Sequence, residues 1–178
     1  MDFGDRLKLM AEHIVKVDVG LLQKAKQMIT EASSRGGKAI IAGNGASAAI
    51  ASHVAVDLTK AAGVRAVNFN EADLITCFAN DYGYEHWIEN ALSFYADPKD
   101  IVILISSSGK SPNIVNAALK AKKMGLKLIT LSGFHQDNAL RKMGDVNFWV
   151  DNAQYNIVET VHQSLLLAVI DQIAAEKI

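Results

Sequence analysis

The chain has 178 residues, half of them hydrophobic and 21% charged, with a formal net charge of -1. This composition suits one globular domain with a substantial core. It argues against the concentrated basic surface that direct nucleic-acid binding needs. Two prolines give no sign of long disordered tails, and the single Cys77 cannot form an internal disulfide, which fits a reducing compartment such as the cytoplasm. Met1 is followed by Asp2 and Asp5 rather than by the basic start and apolar core of a signal peptide. No uninterrupted run of about 18 apolar residues is present, so neither a membrane-spanning helix nor a membrane partner is expected.

Leu7, Met10, Ile14, Val17, Leu21, Ala25 and Met28 recur at steps of three and four. This predicts an amphipathic helix or helix pair over 3–34, with a bend near Gly20 and a stop at Arg35-Gly36-Gly37. Lys38–Ala42 reads as a buried strand, Ser47–Lys60 as a helix and Val64–Phe69 as a second strand. Helices follow at Asp73–Ala79 and Tyr84–Phe94, separated by Asn80-Asp81-Tyr82-Gly83, and Asp97-Pro98 is a turn. Ile101–Ile105 is a third, continuously apolar strand. Helix Asn113–Met124, strand Leu126–Leu131, short helix Ala139–Met143, strand Val146–Val150 and a terminal helix Ile157–Ala175 complete the chain. Strands alternating with helices, without polar alternation in the middle strands, indicate a parallel sheet covered on both faces. The expected fold is a doubly wound three-layer α/β/α sandwich with a five-stranded parallel sheet. It forms one domain, 1–178, with residues 1–35 as an N-terminal helical arm. The long apolar helices at both ends suggest oligomerisation.

In such sheets ligands sit at the carboxyl ends of the strands. Two of those ends stand out. Gly43-Asn44-Gly45-Ala46-Ser47 joins the first strand to its helix, with glycines for a tight turn and a helix N-terminus for an anion. Ser106-Ser107-Ser108-Gly109-Lys110-Ser111-Pro112-Asn113 follows the third strand and carries four hydroxyls within six residues. Helix capping accounts for one serine at a helix start, not four. Hydroxyls and backbone amides suit a phosphate without a metal. No G-x-x-x-x-G-K-[ST] motif occurs. Gly43-Asn44-Gly45-Ala46-Ser47-Ala48 matches a short dinucleotide fingerprint, but the acidic partner such a site needs is late, at Glu71, and the serine loop is left unexplained.

These motifs carry a resemblance. Gly43-Asn44-Gly45-Ala46-Ser47-Ala48-Ala49 with His53, then Ala79-Asn80-Asp81-Tyr82-Gly83, then Ile105-Ser106-Ser107-Ser108-Gly109-Lys110-Ser111-Pro112-Asn113, resemble the SIS (sugar isomerase) domain family, and within it the phosphoheptose isomerase branch. The likeness runs from about residue 2 to 177. It implies a homotetramer with active sites between subunits, a phosphosugar held by Ser47, Ser106, Ser107, Ser108 and Ser111, and a pocket shaped by Asn44 and Asp81.

Aldose–ketose isomerisation, an intramolecular oxidoreduction through an enediol, needs a base near the C–H bond and an acid or base for the oxygens. The branch usually places Glu four residues after the first-loop His. Here Asp57 stands four after His53, on the same helical face. On the terminal helix the branch pattern, Gln-Glu-x-His with a second His five later, is met by Glu159-Thr160-Val161-His162, with Leu167 at the second His and Asn156 in place of an Asp. In some relatives these positions bind zinc, which leaves His53, Asp57, Glu159 and His162 as candidate ligands, although no cofactor is expected from this set alone. The catalytic candidates are Asp57 as carbon base, with His53, Glu159 or His162 relaying the oxygen-bound proton. The resulting expectation is a cytoplasmic phosphosugar isomerase acting on a heptose or related ketose phosphate of the sedoheptulose 7-phosphate type. The alternative is a phosphosugar-binding or regulatory SIS protein without turnover, such as the relative that binds the bacterial replication initiator. Leu167 favours the alternative. Asp57 and His162 favour the enzyme.

Overall fold

The computed structural model describes residues 2–176. Five strands, β1 (Ala39–Gly43), β2 (Ala66–Asn68), β3 (Ile101–Ser106), β4 (Lys127–Ser132) and β5 (Val146–Trp149), form one sheet in the order β2-β1-β3-β4-β5. Every pairing is parallel. The helices are α1 (Phe3–Val15), α2 (Val19–Ser34), α3 (Ala46–Lys60), α4 (Ala72–Tyr82), α5 (Trp87–Tyr95), α6 (Pro112–Lys123) and α7 (Tyr155–Ala175). The predicted doubly wound α/β/α sandwich is the observed fold.

Side chains alternate across a strand, so each strand feeds two cores. On one face Ile41, Ile101, Ile103, Ile105, Ile129 and Phe148 pack under α2, α3 and α7. On the other, Ile40, Val102, Leu104 and Leu128 pack under α5 and α6. Complete burial of β3 on both faces explains its uninterrupted apolar sequence.

Several expected boundaries move. The N-terminal helices part at Lys16–Asp18 rather than at Gly20. Asp18 starts α2 by accepting a 2.8 Å hydrogen bond from Gly20 N, so Gly20 lies inside the first turn of the new helix. Nor are both helices an arm. Ala25, Met28, Ile29 and Ala32 of α2 are buried in the core, whereas no residue of α1 is. Val64–Phe69 shrinks to three strand residues because β2 is an edge with one neighbour. Asn80, Asp81 and Tyr82 belong to the last turn of α4, and Gly83, with φ 85°, ends that helix. Among the described residues α7 is long and apolar enough to cross a membrane, although polar residues interrupt its apolar sequence. Nine of its residues, from Ile157 to Ile173, are buried within this domain.

Candidate functional site

The chain runs from β1 outward to β2 and returns past β1 to β3. Gly43 and Ile105 pair at the carboxyl ends of β1 and β3, so the loops that follow leave the sheet side by side. This is the crevice where a doubly wound sheet binds ligands.

The first loop is tight. A Cβ on Gly43 would stand 2.6 Å from the Ser47 side chain. Gly45 takes φ 55° at the start of α3 and offers no side chain to cap it. Ser47 is thereby drawn into the protein at 3% exposure, with its N–H donating to Asn44 O. In the second loop Gly109 takes φ 64°, and its N–H returns to Ser106 O at 2.9 Å. A Cβ on Gly109 would fall 1.9 Å from Asn138 Oδ1, so the loop rests its backbone against that side chain. Ser111 occupies the cap position of α6, yet its hydroxyl makes no capping bond and instead accepts one from Ser106 Oγ at 3.2 Å. Capping therefore explains none of these serines.

Asn44, Ser47, Ser106, Ser107, Ser108 and Ser111, all expected from sequence, line one open cavity of about 300 Å³. Ser47, Ser106 and Ser107 are buried polar residues in its wall. The opposite wall comes from α7, with Tyr155 and Glu159. Glu159 Oε1 accepts a 3.3 Å hydrogen bond from Ser107 Oγ. The two loops are fastened together by a pair of amides. Asn44 Nδ2 donates to Asn113 Oδ1 and Asn113 Nδ2 donates to Asn44 Oδ1, both at 2.9 Å, and Tyr84 Oη donates to Asn44 Oδ1 at 3.2 Å.

A second recess of about 400 Å³ opens beside the first and shares Ala46 and Glu159 with it. His53 and Gln163 line it. His53 and Asp57 project from the same face of α3, with His53 Nε2 3.0 Å from Asp57 Oδ2 and His53 Nδ1 3.0 Å from Gln163 Nε2. A larger recess of about 520 Å³ lies near the α1–α2 turn and β5. Its lining mixes Lys16 and Arg141 with Asp18 and Asp151 and includes none of the serine loop.

Two expected site residues lie elsewhere within the chain. His162 faces the core, fully buried, with Nε2 donating to Ser132 O at 3.0 Å and Nδ1 without a partner. Burial pushes its pKa from 6.5 down to about 4, against the pull of the Ser132 carbonyl, so it is neutral at pH 7. Asp81 is on exposed α4, where it accepts from Asn80 Nδ2 at 2.9 Å, and does not line the serine cavity. The four zinc candidates do not assemble. His53 and Asp57 pair with each other, His162 is turned onto a carbonyl, and among the described residues no three His, Cys, Asp or Glu side chains group to hold a metal.

Sequence reasoning missed Asn113, Tyr155 and Gln163. Asn113 was visible as the amide directly after Ser111-Pro112. Tyr155 and Gln163 stand on α7 four residues to either side of Glu159, a spacing that puts them on its face. Trp87 is buried, but Tyr84 is exposed and braces Asn44.

The fold is a doubly wound parallel sheet with a hydroxyl-rich loop at its switch point, and the chain belongs to the SIS domain family, whose sequence model matches residues 2–133. Phosphoheptose isomerases are among its relatives. That of Syntrophotalea carbinolica is 30% identical over 92% of this chain and 86% of its own. Phosphoheptose isomerase 1 of Campylobacter jejuni is 33% identical over 86% of this chain and 84% of its own. The solved phosphoheptose isomerase of Neisseria gonorrhoeae superposes with a TM-score of 0.87 at 25% identity, covering 97% of this chain and 95% of that one.

Proposed function

We propose that this protein is a phosphosugar isomerase of the heptose phosphate type, interconverting an aldose and a ketose phosphate. The observation that carries the proposal is the convergence of two hydroxyl-bearing strand-to-helix loops on one cavity, beside a recess lined by His53, whose imidazole pairs with the Asp57 carboxylate one turn along α3. Ser47, Ser106, Ser107 and Ser111 grip the phosphate, helped by the positive end of α3. Asn44 fixes the separation of the loops. The sugar extends past Glu159 toward His53. Asp57 removes the proton from the carbon next to the carbonyl, giving an enediolate, and returns it to the neighbouring carbon. Glu159, which borders both recesses, moves protons at the two oxygens. The close similarity over most of the chain to phosphoheptose isomerases supports the heptose phosphate assignment.

A homotetramer in the cytoplasm completes the proposal. Phe3 and Leu7 on α1 are exposed at 89% and 66%, a hydrophobic surface suited to a neighbouring copy. In such an assembly Asp81 serves the site of an adjacent subunit. Light scattering that finds a monomer at working concentration would overturn the tetramer.

The test of activity is NMR of sedoheptulose 7-phosphate in D2O with the parent protein and with Asp57→Asn. The expected result is conversion to aldose phosphate with deuterium entering at the carbon that changes, and loss of both in the variant. Binding of the sugar phosphate without conversion or exchange would instead establish the second reading, a phosphosugar-binding regulator. That reading is favoured by one observation. Leu167 fills the position where the family resemblance expects a second histidine, and it packs against the core.

A further inference from the structure

Gln163 follows His162 on α7 but turns away from the core, into the recess that it lines with His53. His53 is held from both sides, by Asp57 Oδ2 at Nε2 and by the Gln163 side-chain amide at Nδ1, each at 3.0 Å. A carboxylate can only accept a hydrogen bond, so the proton of neutral His53 belongs on Nε2. Nδ1 is then a bare lone pair, and its partner must be a donor. The NH2 group of Gln163 supplies that donor. The opposite tautomer would point the Nε2 lone pair at the Asp57 carboxylate.

We infer that Gln163 is a positioning residue that holds His53 as its Nε2–H tautomer and, through that imidazole, aims the Asp57 carboxylate. The kinetic consequence rests on the isomerase reading, whereas the tautomer rests on geometry alone. The His53 Nε2–H occupies Oδ2 of Asp57 and leaves Oδ1 to take the carbon-bound proton and give it back. Without Gln163 the ring is free to turn, Nε2–H leaves the carboxylate, and the base loses its orientation.

The experiment compares parent, Gln163→Leu and Gln163→Glu proteins carrying 15N-labelled histidine, with His53→Gln assigning the signals. In the parent at neutral pH, His53 is expected to show a protonated Nε2 and a bare Nδ1. In Gln163→Leu the two tautomers should exchange. Gln163→Glu, which offers Nδ1 an acceptor in place of a donor, should remove the signal of a bare Nδ1. Turnover of sedoheptulose 7-phosphate by Gln163→Leu should fall in kcat by roughly 10–100-fold, the usual cost of losing a group that orients a ligating or catalytic histidine, with KM unchanged. A parent His53 with its proton on Nδ1, or a tautomer indifferent to Gln163→Leu, would overturn the inference. So would a rise in KM with kcat intact, which would mark Gln163 as a substrate contact. If the parent turns over no ketose phosphate but the tautomer still depends on Gln163, the isomerase reading fails and the positioning role stands.

Discussion

Asn44 and Asn113 stand 69 positions apart and return to each other both hydrogen bonds of their side-chain amides, so the first loop and the start of α6 are locked face to face. Asn113 is only 2% exposed. Its replacement by leucine leaves the Asn44 amide without its partner inside the protein, a loss on the order of 1–3 kcal/mol. Urea unfolding of Asn113→Leu should register that loss. Calorimetry with a sugar phosphate should find weaker binding even though Asn113 is set back from the cavity.

The serine loop predicts a graded loss of affinity. Each hydrogen bond to a charged ligand contributes about 1.5–3 kcal/mol, so Ser106→Ala or Ser107→Ala should raise Kd for sedoheptulose 7-phosphate by roughly 10–150-fold. Lys110→Ala, altering an exposed residue outside the cavity lining, serves as the control and should change little. Titration calorimetry decides between this pattern and an indifferent loop.

His162 makes stability depend on pH. Its folded pKa of about 4 lies below its ordinary value of 6.5. Between those values the unfolded chain binds a proton that the folded chain refuses, so stability falls as pH drops through that window. The whole effect is about 3 kcal/mol. In His162→Gln the amide can still donate to the Ser132 carbonyl but cannot titrate. Denaturant midpoints measured from pH 7 to 4 should therefore lose much of their slope in the variant.

A separate anchor lies at the amino ends of the strands, away from the cavity. Asp100, 2% exposed, accepts hydrogen bonds from Lys38 N at 2.8 Å, from Lys38 Nζ at 2.6 Å and from Asp97 N at 2.8 Å. Burial alone would lower the Lys38 pKa, but its bonds to Asp100 and Asp97 outweigh that and hold it above the ordinary value. This contribution is full below the unfolded pKa of Lys38 and fades as pH rises through the folded one. Asp100→Ala leaves Lys38 Nζ with Asp97 as its carboxylate partner but takes the acceptor from the Lys38 and Asp97 N–H groups, and should cost on the order of 1–3 kcal/mol in thermal or urea unfolding. Sugar phosphate affinity of the folded protein should be unchanged.

The fold was legible because β3 and its neighbours are buried on both faces and the helices carry clear periods. The serine cavity was legible because glycine and serine clustered at two strand ends. What escaped depended on distance through space. His162 follows a helical spacing that fits a recess or a core equally well, and only the packing of α7 against β4 decides for the core. Gln163 looks like any polar residue until α3 brings His53 to it. The span of β2 was overread because Val64 and Phe69, just outside its paired stretch, are buried without belonging to the strand.

Gly109 meets Asn138 so closely that neither can vary alone. Asn138 Nδ2 donates to Gly133 O and His135 O, at 3.1 and 2.8 Å, and its Oδ1 accepts from Arg141 N at 3.0 Å. One amide thus serves as the mould for the serine loop and as the brace of the segment after β4. Hydroxyls around the rim can drift among homologues at the expense of affinity only. The glycine and the asparagine should instead covary or persist as a couple, because a methyl group at one demands retreat by the other.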